Sequence, residues 1–236
     1  MGGVVDGTLR EYAVFNEQGL VRMPSNLNYA EGSTLTCAGV TAWNALYGGQ
    51  NVLKQGDVVL TQGTGGVSVF AVQFAVAAGA TVIATTSSDE KGKVLKNLGA
   101  THVLNYKTDP NWGATAKKLS PRGEGVDFVI EVGGPQTMAQ SFTSIKMGGT
   151  ITIIGFLGGA VADEKSSALQ ALSNVCTVRG ILVGSRAQFE DMNRAIETNN
   201  IKPVVDKKRF KMEELVDAYQ YMWEQKHFGK LVVDIV

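Results

Sequence analysis

The chain has little of what several classes of protein require. Its 236 residues include only two cysteines, Cys37 and Cys176, too few for a disulfide framework, so we expect a reducing compartment and a cytoplasmic location. Basic and acidic residues balance at 22 each, which gives no electrostatic reason to expect nucleic acid or an anionic membrane as a partner. The longest apolar stretch, from Val67 to Thr86, is interrupted by Gln73 and Gly79. It predicts a buried helix and strand, with no membrane span.

Proline is also scarce, with five residues against 28 glycines, a composition that suits many tight strand-to-helix turns. From residue 56 onward, short apolar runs alternate with helical stretches. Strands joined by helix-length crossovers predict a parallel sheet, and six of them predict a doubly wound α/β fold of the Rossmann type. The predicted strands are Asp57–Gln62, Thr81–Thr86, His102–Asn105, Val126–Val132, Thr150–Gly155 and Thr177–Val183.

The helices are predicted from apolar periodicity and from their end signals. Gly79 and Gly99 stand where a glycine ends a helix, and Ser87 with Glu90 has the spacing of a capping box. Residues 1–50 are turn-rich and lack the alternation. The predicted helices are Gly66–Ala78, Asp89–Leu98, Trp112–Leu119, Pro135–Lys146, Gln188–Thr198 and Met212–Lys226, with a partly helical insertion around Asp163–Asn174 and a final strand Lys230–Val236.

A glycine-rich turn, Gly63–Ser68 (GTGGVS), lies between the first strand and its helix. Gly63 permits a tight turn, Gly65 lets the backbone approach a pyrophosphate, and the N–H groups at the helix start hold negative charge. The sixth position is Ser68 where the strict pattern has Gly or Ala, and its small side chain still allows close packing. A merely flexible loop is the alternative, but the placement inside a βαβ pattern favours binding of a nicotinamide dinucleotide.

The end of the second strand predicts which nicotinamide coenzyme is bound. An NAD site needs a carboxylate there for the ribose 2′-hydroxyl, whereas this chain has hydroxyl side chains up to Ser88 and no acid before Asp89. Lys91 follows, and a lysine beside hydroxyl groups fits a 2′-phosphate. We therefore expect NADP(H) rather than NAD(H). An alternative stays open, in which Ser87 caps the helix and Lys91 is a solvated surface charge.

Four segments together resemble the medium-chain dehydrogenase/reductases: residues 35–43 (LTCAGVTAW), 62–68 (QGTGGVS), 129–134 (VIEVGG) and 229–232 (GKLV). That family includes the zinc-type alcohol dehydrogenases and the zinc-free quinone oxidoreductases, and the similarity runs over essentially the whole chain. In the family, the cofactor domain is inserted into a barrel-like catalytic domain. The resemblance therefore implies a Rossmann domain at residues 46–180, flanked by catalytic-domain remnants at residues 1–45 and 181–236.

The resemblance also implies roles for individual residues. Thr41 is similar to the family threonine near the nicotinamide, Lys91 and Tyr106 to a pair that holds the 2′-phosphate, and Gly133 to a residue at the adenine ribose. Tyr106 as a plain strand-end aromatic remains an equal alternative. The expected cofactor-binding residues are Thr41, Gly63, Thr64, Gly65, Gly66, Val67, Thr86, Ser87, Lys91, Tyr106, Gly133, Ile154, Gly155, Phe156 and Ser185.

The chain also departs from the pattern of the family that it resembles. Family members carry about a hundred residues upstream of the point where this chain begins, an ordinary domain's worth, so we expect exposed apolar surface on both flanking segments. Cys37 aligns with one catalytic zinc ligand, but one thiolate cannot make a site that needs three protein ligands. His102 and His227, the only histidines, are not expected to converge on it. We expect Cys37 to be a buried thiol, or else a ligand that is vestigial or completed in a full-length protein, and no zinc in this chain.

The sequence thus predicts an NADP(H)-dependent oxidoreductase that transfers hydride to or from a small alcohol/aldehyde or enone/quinone substrate. The alternative is a truncated, non-catalytic cofactor-binding protein. No proton donor can be named, because no Ser-His-Asp set, carboxylate pair or Tyr-x-x-x-Lys arrangement is present. A homodimer is expected to form through the edge strand Thr177–Val183, whose outer side needs a partner.

Overall fold

One parallel sheet organises the molecule, in a computed structural model that describes residues 5–159 and 169–235. Its strands are β1 Val58–Gln62, β2 Thr81–Thr86, β3 His102–Asn105, β4 Val126–Glu131, β5 Ile145–Ile153 and β6 Thr177–Gly180. The order is β3-β2-β1-β4-β5-β6, and all neighbours pair in parallel. The predicted doubly wound fold is confirmed. The winding reverses between β1 and β4, and in doubly wound sheets the carboxyl edge at such a reversal is where a ligand crevice forms; we call this place the crevice.

Helices cover both faces of this sheet, and a small second sheet lies near the end of the chain. The second sheet pairs β7 Phe210–Lys211 with β8 Val233–Asp234. The helices are α1 Tyr29–Ser33, α2 Val40–Tyr47, α3 Gly66–Ala77, α4 Asp89–Asn97, α5 Trp112–Leu119, α6 Pro135–Ser144, α7 Leu169–Ser173, α8 Arg186–Thr198 and α9 Leu215–Trp223.

The core consists of two apolar clusters, one on each face of the sheet. Val59 and Ile130 belong to one cluster, whereas their strand neighbours Leu60 and Val129 belong to the other, as the alternation of side chains along a strand requires. Since both faces are covered, β1 is buried at every position, which explains why its first three residues are apolar without alternation.

The helices before residue 50 were not predicted. Leu35–Gly39 forms a π-helical turn that leads into α2, and Trp43 of α2 meets Phe74 of α3 edge to face at 5.4 Å. This ring contact attaches the N-terminal segment to the cofactor-side helix. Helix α2 crosses the predicted domain boundary at residues 45 and 46, and that division of the chain stays a prediction.

The bounds of several predicted strands differ from those observed: β1 and β4 by one residue each, and β5, β6 and the final strand by more. Strand β5 begins at Ile145 instead of Thr150, and its register to β4 shifts because exposed residues around Gly148 bulge out. Strand β6 ends at Gly180 instead of Val183, because Val183 takes a positive φ of 55° that a paired strand cannot accommodate. The final strand is likewise only two residues long.

Part of the predicted insertion around Asp163–Asn174 lies outside the described residues; the described part begins with α7. Within the described ranges, no helix combines the length and the apolar character needed to cross a lipid bilayer.

The expected exposed apolar surface on the flanking segments is confirmed. Such surface is typical of interfaces. The large apolar side chains exposed there are Val5, Leu9, Tyr12, Val14, Phe15, Leu20, Met23, Tyr29, Leu182, Val216, Tyr219, Met222 and Trp223.

Candidate coenzyme-binding site

The glycine turn lies at the carboxyl end of β1, beside the crevice. Gly63 has a φ of 75°, a conformation that favours glycine, and its N–H donates to the carbonyl of Thr85 at 2.9 Å. Helix α3 begins at Gly66, and no side chain caps it. The first backbone N–H groups of a helix have no partner within the helix, and since no side chain caps α3, its start is a candidate site for an anion.

Gly65 has room for a ligand that the protein itself does not fill. Its φ of −72° is open to any residue, and a Cβ placed there would have no atom within 4 Å. Neither backbone conformation nor packing within the chain therefore requires glycine at this position. A diphosphate that approaches the backbone does require it, so the residues present fit a dinucleotide.

Gly66 and Ser68 serve packing instead. A Cβ on Gly66 would run into the side chain of Lys230 and lie 3.1 Å from that of Ala38. Ser68 is buried, and its hydroxyl donates to the carbonyl of Gln62 at 2.6 Å. The small sixth residue thus allows close packing of α3 on β1, as the sequence predicts.

The C-terminal segment lies directly on the glycine turn. The Gly229 N–H donates to the carbonyl of Thr64 at 3.1 Å, and Gly65 and Gly229 form an isolated parallel bridge. The aliphatic part of Lys230 packs against Gly66, which brings a basic side chain to the start of α3. Sequence analysis did not identify Lys230 as a site residue, because no local pattern reports a contact between residues so far apart in the chain.

At the end of β2, the capping prediction is wrong by one residue. Helix α4 begins at Asp89, so its N-cap is Ser88 and not Ser87: the Ser88 hydroxyl oxygen accepts from the Lys91 N–H at 3.4 Å. Thr86 is buried, and its hydroxyl oxygen accepts from the Ser88 N–H. Ser87, in contrast to Thr86, is half-exposed, and it does not cap α4.

Lys91 is half-exposed at this edge of the sheet, and its role toward a 2′-phosphate stays a prediction. Its ammonium donates to the backbone carbonyls of Gln225 at 3.0 Å and His227 at 2.9 Å. Tyr106 follows the neighbouring strand β3, is 42% exposed, and donates its N–H to the carbonyl of Thr86 at 3.0 Å. Lys91 and Tyr106 therefore both lie past the carboxyl ends of adjacent parallel strands.

A buried carboxylate forms the floor of the crevice, and the sequence analysis missed it. Glu131, the last residue of β4, has no exposed surface. One carboxylate oxygen accepts from the N–H groups of Gly133 and Gly134, each at 2.9 Å, and from the Thr137 hydroxyl. The other oxygen accepts from the Ser141 hydroxyl and, at 2.7 Å, from the amide of Gln62 on β1. Five donors therefore satisfy a buried acceptor.

This network joins the two strands on either side of the crevice. The Gln62 side-chain oxygen accepts from the Val132 and Gly133 N–H groups at 3.2 Å, so β1 is linked to the turn after β4. The end of β4 also positions the loop after β5, because the Ile154 N–H donates to the Glu131 carbonyl at 2.8 Å. The predicted residues Gly133, Ile154, Gly155 and Phe156 are thus held at one edge of the sheet.

Thr41 and Ser185 lie at two other helices of the site region. The buried Thr41 hydroxyl donates to the carbonyl of Cys37 at 2.6 Å. Ser185 caps α8, where its hydroxyl oxygen accepts from the Gln188 N–H at 3.2 Å. Both hydroxyl groups already have partners within the protein, and their contacts with a coenzyme stay predictions.

Comparison with known proteins identifies the family. The family model described as zinc-binding dehydrogenase matches residues 66–198. Over its whole length, the chain is 47% identical to a zinc-type alcohol dehydrogenase-like protein of Schizosaccharomyces pombe, of which it covers 68%. The chain belongs to the zinc-type alcohol dehydrogenase-like medium-chain dehydrogenase/reductases. It is therefore a member of an oxidoreductase family with a nicotinamide-cofactor domain.

Other relatives extend this result. A zinc-type alcohol dehydrogenase-like protein of Leptosphaeria maculans is 37% identical over 97% of the chain, which covers 65% of that relative. A crystal structure of an NAD-dependent alcohol dehydrogenase superposes with a TM-score of 0.86 at 29% identity, over 98% of this chain and 66% of that one. The chain thus spans about two thirds of the length of these medium-chain relatives.

The zinc of zinc-type members has no complete set of ligands in the described part of this chain. Cys37 is exposed on the π-helical turn, so the expectation of a buried thiol is wrong: the turn directs this residue outward while its neighbours Ala38 and Gly39 are buried. Among the described residues, no three histidine, cysteine or acidic side chains come together around one point. A zinc site requires three protein ligands, and these residues alone do not supply them.

Proposed function

We propose that this chain binds NADP(H) as part of an oxidoreductase that transfers hydride to or from a small alcohol/aldehyde or enone/quinone substrate. The observation that carries the proposal is the open space at Gly65 beside the uncapped start of α3. A free space beside backbone N–H groups at a helix start is the arrangement that binds a diphosphate. The bound coenzyme would supply the hydride chemistry, while the chain orients it.

The choice of NADP(H) rests on the charges past β2. The first acid after this strand, Asp89, is exposed, and its carboxylate accepts from the amide of Asn105 at 2.8 Å. One oxygen of this carboxylate is therefore already engaged by β3. The Lys91 ammonium provides positive charge at this edge, which favours a 2′-phosphate. Tyr106 is exposed enough to pack against the same part of the coenzyme.

Calorimetry with NADPH and NADH tests the proposal, with Gly65→Ala as the decisive variant. The new methyl group meets no protein atom, so we expect the free energy of unfolding to change by less than about 1 kcal/mol. It fills the space left for the diphosphate, so binding of both coenzymes should weaken by about tenfold or more.

Gly19→Ala is the matched control, because a Cβ there also meets nothing within 4 Å and Gly19 lies far from the turn in sequence. The control should bind as the wild type does. Wild-type protein that binds neither coenzyme, or a Gly65→Ala variant with full affinity, would contradict the proposal.

Turnover separates the two functional classes. NADPH oxidation is followed with a panel of aldehydes and quinones alongside the binding measurement. Oxidation of NADPH that depends on one of these substrates supports the oxidoreductase. Binding without turnover across the panel favours the non-catalytic cofactor-binding protein. In either case the residues described here would bind and orient the coenzyme, and none is assigned as a proton donor.

We also propose a cytoplasmic homodimer that pairs through β6. Among the strands of residues 5–159 and 169–235, β6 pairs only with β5, and its residues are largely exposed, so its outer edge has no strand partner there. Light scattering after size-exclusion chromatography should give twice the mass of one chain. A monomer at micromolar concentration would contradict the pairing.

A further inference from the structure

Residues 225–230, which we call the strap, connect the end of α9 to the glycine turn. At one end, the carbonyls of Gln225 and His227 accept from Lys91 of α4. At the other end, the Gly229 N–H donates to Thr64 in the turn. Both attachment points lie at the carboxyl edge of the sheet, where a dinucleotide would bind, so the strap borders the site along its length.

The middle of the strap is anchored from the opposite side. The Asp206 carboxylate accepts from the Phe228 N–H at 2.8 Å, and the Asp206 N–H donates to the Lys230 carbonyl at 2.8 Å. Gly229 has a φ of 68°, and a side chain there would collide with the carbonyl of Val204. The strap therefore has one backbone course, fixed by Asp206 behind it and by Lys91 and Thr64 in front.

Lys91 has a donor left over after it has bound the strap. An ammonium carries three N–H donors, and two are used by the strap carbonyls. The carbonyls lie just past the end of α9, which stops where Gln225 adopts a φ of 54°. The partial negative charge at a helix C-terminus holds the ammonium in place. A pre-oriented charge loses less side-chain freedom when an anion arrives.

We propose that Lys91 is a positioning and specificity residue that couples the coenzyme's 2′-phosphate to the strap. It keeps its two bonds to Gln225 and His227 and donates the third N–H to the phosphate. NADPH then holds the strap against the glycine turn more firmly than NADH does, and by thermodynamic reciprocity the closed strap favours NADPH over NADH. This inference rests on the proposed coenzyme function.

Amide hydrogen exchange on the free protein tests the latch between Lys91 and the strap. Lys91→Met keeps the aliphatic chain and removes all three donors, so the Phe228 and Gly229 amides should exchange about tenfold faster. Lys93→Met is the control, because Lys93 is exposed on the same helix. Lys91→Gln, which retains one donor pair, should give an intermediate rate. Unchanged exchange in both Lys91 variants would overturn the latch.

Coenzyme affinity tests the coupling, with a readout that a merely structural role would not change. Loss of a charge-assisted bond to phosphate should weaken NADPH binding by about 10- to 100-fold, while NADH binding changes by less than about threefold. Lys91→Arg should recover part of the NADPH affinity. An equal loss for both coenzymes would overturn the phosphate contact, and loss of NADPH affinity with an unchanged strap would overturn the coupling.

The two proposals fail in different ways. If the wild type binds neither coenzyme, the proposed function and the coupling both fail, and exchange in the free protein still decides the latch. If both coenzymes bind and equally protect the strap at saturation, the function stands and the coupling is wrong. Protection of Gly229 that is larger with NADPH than with NADH supports both.

Discussion

The floor of the crevice and the strap hold the same site in opposite ways. On the floor, one fully buried carboxylate, Glu131, receives five hydrogen bonds from the turn after β4, from α6 and from β1. The strap is held by bonds spread along an exposed to half-buried segment, with Lys91 and Thr64 on the coenzyme side and Asp206 behind it. Buried networks are rigid and costly to break, whereas exposed bonds open locally. The floor therefore sets the geometry, and the strap can respond to what is bound.

The largest effect is expected from Glu131→Gln, which breaks the floor. The amide group that replaces one oxygen is a donor, so it faces the donor groups of Gln62 and Ser141 in a buried place. We expect a loss of about 2–4 kcal/mol in the free energy of unfolding, measured by urea denaturation. Coenzyme binding should weaken as well, since the turn at Gly133 loses its position.

A second substitution, added to the first, tests whether the hydrogen-bond network accounts for the stability lost in Glu131→Gln. Gln62→Glu combined with Glu131→Gln exchanges the two side-chain types, so that an acceptor again meets a donor between β1 and β4. The double variant should recover at least half of the lost stability, a favourable interaction in a double-mutant cycle. Additive losses would show that the hydrogen-bond pattern is not what stabilises the floor.

A smaller effect is expected from Gly229→Ala, which disturbs the strap. Its positive φ and its contact with the Val204 carbonyl both oppose a side chain. We expect a cost of about 1–3 kcal/mol, confined to the strap: faster exchange at Phe228 and Gly229, and unchanged exchange in the central strands. Gly180→Ala is the control, because its Cβ meets nothing within 4 Å. Global destabilisation would show that strap and floor are one unit.

The smallest effect is a pH dependence of the strap. Burial lowers the pKa of His227 below its ordinary value of 6.5; Lys91 and Lys230 lower it further, and Asp206 opposes them. The unfolded chain then binds a proton more readily than the folded one, so stability rises with pH. The contribution of His227 to the free energy of unfolding is complete above pH 6.5, its ordinary pKa. It is lost as the pH falls from 6.5 toward the lower pKa of His227 in the folded chain.

Strap exchange measured between pH 8 and pH 5, and corrected for intrinsic exchange rates, should therefore reveal loosening on the acid side. The protonated ring would stand beside two ammonium groups, and its Nδ1 has no partner in the described structure. His227→Gln should flatten this profile and leave the pH 8 value nearly unchanged. A profile identical in both proteins would assign the loosening to other groups.

The floor and the strap also differ in how far the sequence predicts them. Local signals sufficed for the elements: β2, β3 and α5 have the predicted bounds, and Gly79 and Gly99 end their helices at positive φ. The glycine turn was placed correctly because its signal is contained within six residues. Each of these features depends on neighbours along the chain, which periodicity and turn chemistry describe.

The contacts between distant residues were not predicted. Lys91 meets carbonyls more than 130 residues away, and hydrophobic patterns do not encode such pairs. Glu131 did leave a signal: an acid directly follows the apolar run FVI at the end of the strand VDFVIE, and a buried charge needs several partners. That signal indicates a network without saying which residues complete it. The distance from Gln62 to Glu131 along the chain is why the partner was missed.

The central claim is that the backbone at the start of α3 binds a diphosphate. Amide chemical shifts of Gly65, Gly66 and Val67, followed by NMR during titration with NADPH, test it most directly. We predict large downfield shifts at these three amides that saturate together with coenzyme binding, and similar shifts with NADH at higher concentration. Saturating NADPH that leaves all three amides unshifted, while other residues respond, would contradict the account.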